Sequence, residues 1–464
     1  MRIEVSNGIT VYEPTLEMKR WCNQELVLDN PDFYKKEKLG KWTGNTPRKI
    51  FLYESDGRRL ILPFGCLSKI WREFCTEALF EVNISPFEKI SYQSGIELYS
   101  YQKKAVEAIL RAKNGVVVMP CGAGKTQTAI EAIARIGGKT LWLTHTQDLL
   151  NQSMSRAKSV LGIDQYTYGT ITGGRVRIGS GITFATVQTM AKIDLSKYKN
   201  TFDVVIIDEC HKAIGSPTRI MQFYKVISNL SARYKIGLTA TPKRADGLEK
   251  SMFALIGDII CEVSKNEVKS TTCPVKVRFL ETGYMPDYDI VLSGDGTINY
   301  ASLVDDLIHN EQRIDAVSKA INTHMVSGPM LVLANRIEYL EILMNMAKGK
   351  CLCLSMMGNS KKAKAERKEA LKRLNDGEID CIFATYQLAK EGLDVPNLRT
   401  LVLATPEKDE TTVTQAVGRV SRKYHGKDFG AVIDFSDDFG MYRGWERKRR
   451  GYYKKLEYEV IGGR

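Results

Sequence analysis

No run in this 464-residue sequence approaches the roughly 20 consecutive apolar residues that a membrane-spanning helix needs. The opening stretch, MRIEVSNGITVYEP, places acidic and polar residues where a secretory leader would need an apolar core. Ten cysteines are scattered along the chain, and the closest pair, Cys351 and Cys353, has no second pair at zinc-site spacing. Strand alternation puts both on one face, so they read as core thiols in a reducing compartment, and a cytoplasmic location is expected. No short-period repeat and no extended low-complexity tract is present. What remains is an ordinary globular composition, 43% apolar and 26% charged, long enough for two or three domains.

Positive charge is in excess. Lys and Arg number 67 against 54 Asp and Glu, a formal charge of +13 that favours a polyanionic partner without distinguishing DNA from RNA. The excess is uneven. Residues 1–94 carry 14 basic and 13 acidic side chains, whereas the segment 443–455, RGWERKRRGYYKK, carries seven basic and one acidic. That segment, with Trp445 among its cations, has the chemistry of phosphate contact plus base stacking, and equally that of an amphipathic helix packed on its own domain.

Residues 119–126, MPCGAGKT, follow the apolar run Gly115–Val118 and precede a helix-like pattern, TQTAIEAIARI. Strand, glycine loop, Lys-Thr and helix is the layout of a phosphate-binding loop. Pro120, Cys121, Gly122, Ala123 and Gly124 shape a turn whose N–H groups can face phosphate oxygens, beside the positive end of the helix dipole. Lys125 then reaches the β- and γ-phosphates of ATP, and Thr126 serves as a Mg²⁺ ligand. Met119 stands where the usual pattern has its first glycine. About 80 residues on, DVVIIDECHK (203–212) reads as a buried parallel strand ending in two carboxylates. Asp208 at that strand end is a second Mg²⁺ ligand, and Glu209 orients or deprotonates the attacking water.

The order of these and further segments resembles the DExH-type superfamily 2 helicases and translocases, over roughly residues 96 to 436. Leu98–Gln102 looks like the family's adenine-reading element, with Gln102 as base contact. LWLTHTQDLLNQ (141–152) and ATVQTM (185–190) resemble its first nucleic-acid motifs, which implies contacts by Thr144, His145, Thr186 and Gln188; His145 reads equally as a structural histidine. GLTATP (237–242) resembles the coupling motif, with Thr239, Ala240 and Thr241; His211 would link the nucleotide site to it. ATYQLAKEGLDVP (384–396) and QAVGRVSR (415–422) resemble the later motifs. They imply Thr385 at nucleic acid, Gly392 and Asp394 in coupling, and Gln415, Arg419 and Arg422 at the γ-phosphate. Lys243–Asp246 matches in part a triplet of the XPB subgroup, with Arg244 at nucleic acid and Ala245 as the departure.

The fold class expected is α/β: two tandem RecA-like parallel-sheet domains after a small N-terminal α+β domain. The divisions read as 1–94 (accessory, in which strand-like runs at 49–53 and 59–62 suggest a hairpin), 95–268 (ATP binding) and 269–464, with a linker or insertion at 269–300 and the basic tail from 443. In the third division a helix is expected over 410–422. The second sheet has no phosphate loop of its own, as the resemblance implies. Length and layout look most like phage branch-migrating helicases of the UvsW kind, with RecG and XPB as wider relatives. That implies an ATP- and Mg²⁺-dependent, monomeric motor on single-stranded, double-stranded and branched DNA. An RNA helicase, a restriction-system motor and a non-motor nucleotide switch remain open.

Overall fold

The computed structural model describes the chain except residues 7, 84–88, 121, 162–166, 214–216, 243–247, 269–271, 295, 359, 391, 392, 394, 463 and 464, and the side chains at 213, 217–219, 265, 361, 364 and 390. It divides into two compact units: Met1–Pro120 with Gly124–Ser264, and Lys265–Arg464, which also takes the loop residues Cys121–Ala123. Among the described residues no helix is long and apolar enough to cross a membrane, and the nine described cysteines are free thiols.

The first unit is built on an eight-stranded sheet. Its order is Arg175–Arg177, Tyr168–Thr172, Ile182–Thr186, Thr140–Thr144, Val204–Ile207, Tyr234–Thr239, Asn114–Val118 and Ile259–Glu262. All neighbours are parallel except the first pair. The inner strands are buried from end to end because crossover helices cover both faces, which is why they read as continuous apolar runs. Gly115, at φ +141°, permits the close approach of the last strand: a Cβ there would lie 2.4 Å from the Ile260 side chain.

Residues 1–83 add a five-stranded sheet, ordered Glu54–Ser55, Arg59–Leu62, Ile9–Tyr12, Arg2–Val5 and Leu79–Val82. The turn at Ser55–Gly57 does close a hairpin, but its first strand is Glu54–Ser55. The run at Lys49–Phe51 pairs instead with Val27–Asp29 in a separate ribbon. One continuous apolar cluster runs from Ile3 and Val5 through Ile70 and Phe74 to Val116, Leu141 and Ile256, so this sheet shares a core with the larger one. At the join the short turn Phe64–Cys66 lies against the helix Glu249–Ile256, where a Cβ on Gly65 would come within 2.5 Å of the Ala254 carbonyl.

The second unit holds a seven-stranded, all-parallel sheet. Its order is Cys351–Cys353, Cys381–Thr385, Met330–Ala334, Thr400–Leu403, Gly430–Ser436, Val275–Glu281 and Glu459–Ile461. One element differs from the sequence reading, and the basic tail takes the amphipathic-helix form which that reading offered as an alternative. The segment read as linker contains a full seven-residue strand, Val275–Glu281, paired along its whole length with Gly430–Ser436. Its burial alternates, because Lys276 and Arg278 face out, and so it lacks the apolar run that marks its neighbours. The basic tail forms the helix Gly440–Lys455 and then the edge strand Glu459–Ile461. That helix is pinned by buried Arg449, whose guanidinium donates to both Asp434 carboxylate oxygens at 2.8 and 3.0 Å. A second buried pair, Arg313 with Asp437 at 2.9 Å, ties the helix Glu311–Met325 to the end of the Gly430–Ser436 strand.

Candidate nucleotide site and nucleic-acid motifs

The strand Asn114–Val118 runs into Met119, whose N–H donates to the Thr239 carbonyl of the adjacent strand at 2.9 Å. The glycine loop follows, with Gly122 at φ +81° and Gly124 at φ +78°, both left-handed. A side chain at 124 would also collide with the Gln102 amide, only 2.3 Å from an ideal Cβ. Gln102 is thus buried against the loop, its carbonyl oxygen accepting from the Tyr99 N–H at 3.0 Å. Pro120 is half-buried and Ala123 buried, while Cys121 lies outside the described residues. The helix Lys125–Ile136 opens at the loop, which leaves its first N–H groups and its dipole directed there. The Lys125 ammonium lies 3.7 Å from Glu209 Oε1 and donates to the Met119 carbonyl at 3.4 Å.

The strand Val204–Ile207, next but one in the sheet, delivers the carboxylates to the same edge. Asp208 is buried and accepts from the Ser153 hydroxyl at 3.2 Å. Burial pushes its pKa up to about 6; the neighbouring Glu209 charge adds to the rise, and Lys125 opposes it. Glu209 behaves oppositely. Burial acts to raise it, but Lys125 and then His211, Lys212 and His145 outweigh burial and hold it below the ordinary value. Two adjacent carboxyls are thereby set apart, one held ionised beside a lysine and one poised near neutrality. Glu209 also has φ +49°, a left-handed conformation that costs a non-glycine residue about 1–3 kcal/mol. The turn aims its side chain at Lys125 rather than along the strand.

His211 continues the chain of contacts. Its Nδ1 is 2.8 Å from the Thr239 hydroxyl and 3.4 Å from Glu209 Oε2. The Thr239 hydroxyl accepts from the Thr241 N–H at 3.1 Å, with Ala240 between them half-buried. The structure therefore joins the carboxylate pair to the Thr239–Thr241 segment through one histidine. Ser153 is the member of this cluster that the sequence reading missed; it sits two turns into the helix Gln147–Val160, and nothing in its spacing marks it.

Thr144, His145, Thr186 and Gln188 come together at the ends of two paired strands, with Thr144 opposite Thr186. The Gln188 amide donates to the His145 carbonyl at 3.2 Å, and Thr186 caps the short helix Val187–Met190. Arg244 and its neighbours lie outside the described residues, as do Gly392 and Asp394.

In the second unit, Thr385 caps the helix Tyr386–Lys390 by accepting from the Leu388 N–H at 3.2 Å. Gln415 lies on the helix Glu410–Val417, which stops at Gly418 rather than running on to 422. Arg419 thus stands on the turn that follows, and Arg422 just beyond it, in an antiparallel bridge with Thr272. The Arg419 guanidinium donates to the Leu393 and Ala389 carbonyls. Two of its N–H groups are committed to backbone, so Arg419 braces the turn that leads to Arg422. Trp445 is half-buried on the helix Gly440–Lys455.

A glycine loop with its lysine, and paired carboxylates at the ends of nearby parallel strands, define an ATPase of the phosphate-loop class. Residues 95–244 match the family model of the type III restriction enzyme res subunit, and residues 312–424 match the helicase conserved C-terminal domain. The chain belongs to the superfamily 2 helicases and carries their ATP-dependent helicase domains. The DNA 3'-5' translocase XPB2 of Sulfurisphaera tokodaii is 28% identical over 401 residues, 78% of this chain and 87% of that protein. A putative ATP-dependent RNA helicase of Acanthamoeba polyphaga mimivirus is 26% identical over 77% of this chain and 67% of its own. Among solved structures, a type I restriction HsdR fragment from Vibrio vulnificus YJ016 superposes with a TM-score of 0.56 at 18% identity, over 82% of this chain and 69% of that one. S. cerevisiae Dbp5 bound to RNA and ADP BeF3 also gives 0.56, at 15% identity, over 79% and 89%. These two establish the shared fold.

Proposed function

We propose that the chain is a DNA helicase or translocase that uses Mg²⁺-ATP to unwind or branch-migrate forked and junction DNA. The observation that carries the motor is the Lys125–Glu209–His211–Thr239 contact chain, which ends in a segment able to pass on the nucleotide state. Lys125 neutralises the transferring phosphate, and Glu209, held ionised, accepts the proton of the attacking water. Asp208 and the Thr126 hydroxyl suit a Mg²⁺ ion, which is ordinarily held by one or two carboxylates plus substrate phosphates. Arg422, which follows Gln415 and Arg419 in the same motif, supplies positive charge to the γ-phosphate of ATP and so makes hydrolysis depend on the second unit. Thr144, His145, Thr186, Gln188 and Thr385 are the strand contacts of this reading, with Arg244 assigned to nucleic acid, and Gly392 and Asp394 to coupling, by their motifs alone.

DNA is favoured over RNA by the XPB2 relative, which this chain matches over most of its length. The mimivirus relative supports the RNA reading. Steady-state ATP turnover titrated with single-stranded DNA, forked DNA and RNA separates them. The expected order is forked DNA first; strongest stimulation by RNA would overturn the DNA assignment.

A further inference from the structure

The second unit contains a cleft of about 340 Å³ that no helicase motif explains, lined by Tyr300, Asn335, Arg336, Glu407, Lys408 and Trp445 among others. It opens at the ends of the strands Met330–Ala334 and Thr400–Leu403, the edge at which open α/β sheets bind ligands. We propose that it takes a single unstacked nucleobase of a bound strand, with the adjoining phosphate held by Arg336 and Lys408. This deepens the nucleic-acid reading above and rests on it.

The walls are aromatic and cationic. The Tyr300 and Trp445 rings have centroids 6.0 Å apart and are inclined by 50°, a wedge rather than a closed stack. The Lys408 ammonium sits 5.1 Å from the Trp445 ring centre. Arg336 is exposed, and among the described residues its side chain makes no hydrogen bond or ion pair. One carboxylate also lines the cleft: Glu407, whose Oε1 accepts from the N–H groups of Lys408 and Asp409 at 2.7 and 2.9 Å.

The frame is rigid. Trp445 stands one helical turn from Arg449, whose buried pairing with Asp434 fixes the helix. Arg449 also donates to the Glu407 carbonyl at 3.3 Å, and the Tyr452 hydroxyl to the Lys408 carbonyl at 3.0 Å. Asn299 caps the helix that begins at Tyr300, and the Asn335 N–H donates to Thr405 at 3.0 Å. Pre-set aromatic faces beside two exposed cations, which outnumber the single carboxylate, suit a base and its phosphate. The volume is at the small end of the roughly 300–1,000 Å³ of ligand pockets, and no glycine loop is present for a triphosphate.

The test is equilibrium binding of the full chain to a short oligothymidylate over a range of salt, read by tryptophan fluorescence and by anisotropy. Trp445→Leu should weaken binding roughly 5- to 150-fold at every salt concentration, the effect of one lost stack. Trp445→Phe should recover much of it. Arg336→Ala should reduce the slope of log K against log salt by about 0.7. A strand with abasic sugars should bind the parent protein as weakly as the oligothymidylate binds Trp445→Leu. Equal binding of abasic and normal strands, or a Trp445→Leu variant that binds like the parent, overturns the proposal. Thymidine 5′-monophosphate quenching Trp445 as effectively as the strand would show a free-nucleotide site and also overturn it. Trp445-independent binding alongside ATP-driven strand separation would sink the pocket and leave the motor. Trp445-dependent binding without coupled hydrolysis would do the reverse.

Discussion

Replacing Asp208 with asparagine should stabilise the nucleotide-free protein and abolish its ATP turnover. Asp208 is buried, and its pKa of about 6 lies above the ordinary 3.8, because burial and the Glu209 charge disfavour ionisation. A carboxyl whose folded-state pKa is raised adds stability when protonated, and that stability is lost as pH rises through the folded value. At pH 8 the ionised form opposes folding by on the order of 3 kcal/mol, taking about 1.36 kcal/mol for each pKa unit. Asparagine has the same shape, stays neutral and can still meet the Ser153 hydroxyl. At roughly 2–4 °C per kcal/mol, unfolding of the first unit should rise by several degrees at pH 8. The gain should shrink between pH 6 and 4 and vanish below that, where aspartic acid is neutral in both states. The assay is calorimetric melting of both proteins without nucleotide across that range, followed by ATP turnover at pH 8. An Asp208→Asn protein that melts at or below the parent at pH 8, or whose advantage is as large at pH 4 as at pH 8, would refute the reasoning.

Lys125→Ala should remove ATP turnover and, by deleting the partner 3.7 Å from Glu209, raise the pKa of that carboxyl; ATPase at the parent level would contradict the assignment. Arg422→Ala should keep nucleotide affinity within a few-fold while losing about 10³-fold or more in turnover; an unchanged turnover number would remove it from the γ-phosphate. Arg419→Ala should instead lower the melting temperature of the second unit, because two carbonyls lose their donors; an unaltered melt with lost turnover would assign Arg419 the phosphate role. Arg449→Ala leaves Asp434 buried and unpaired, which should cost about 3–5 kcal/mol in denaturant unfolding of the same unit; a loss below about 1 kcal/mol would show that the pair does not hold the helix.

The sheets were legible where burial is two-sided. Val204–Ile207 and Met330–Ala334 are continuous apolar runs bounded by loop chemistry, and both are strands. Val275–Glu281 was not, because only alternate residues are buried and the turn residues that follow dominate its surroundings. The helix end at Gly418 also escaped; the residue after it, Arg419, bonds to carbonyls 26 and 30 residues earlier, which no local pattern shows. At the site, the phosphate loop and the carboxylate pair could be read from spacing. The left-handed Glu209, the Ser153 bond to Asp208 and the Gln102 amide packed on Gly124 could not, because each depends on backbone conformation or tertiary packing that residue spacing does not encode. The cleft at Trp445 unites residues from four separate segments and leaves no local pattern.

ATP-driven strand separation on a forked DNA tests the central claim most directly. The parent protein should displace the strand with ATP and Mg²⁺, and neither a non-hydrolysable analogue nor the Lys125→Ala variant should support it. Displacement that proceeds equally with the analogue, or none at all while the fork is bound and ATP is consumed, would contradict a motor that converts hydrolysis into movement along DNA.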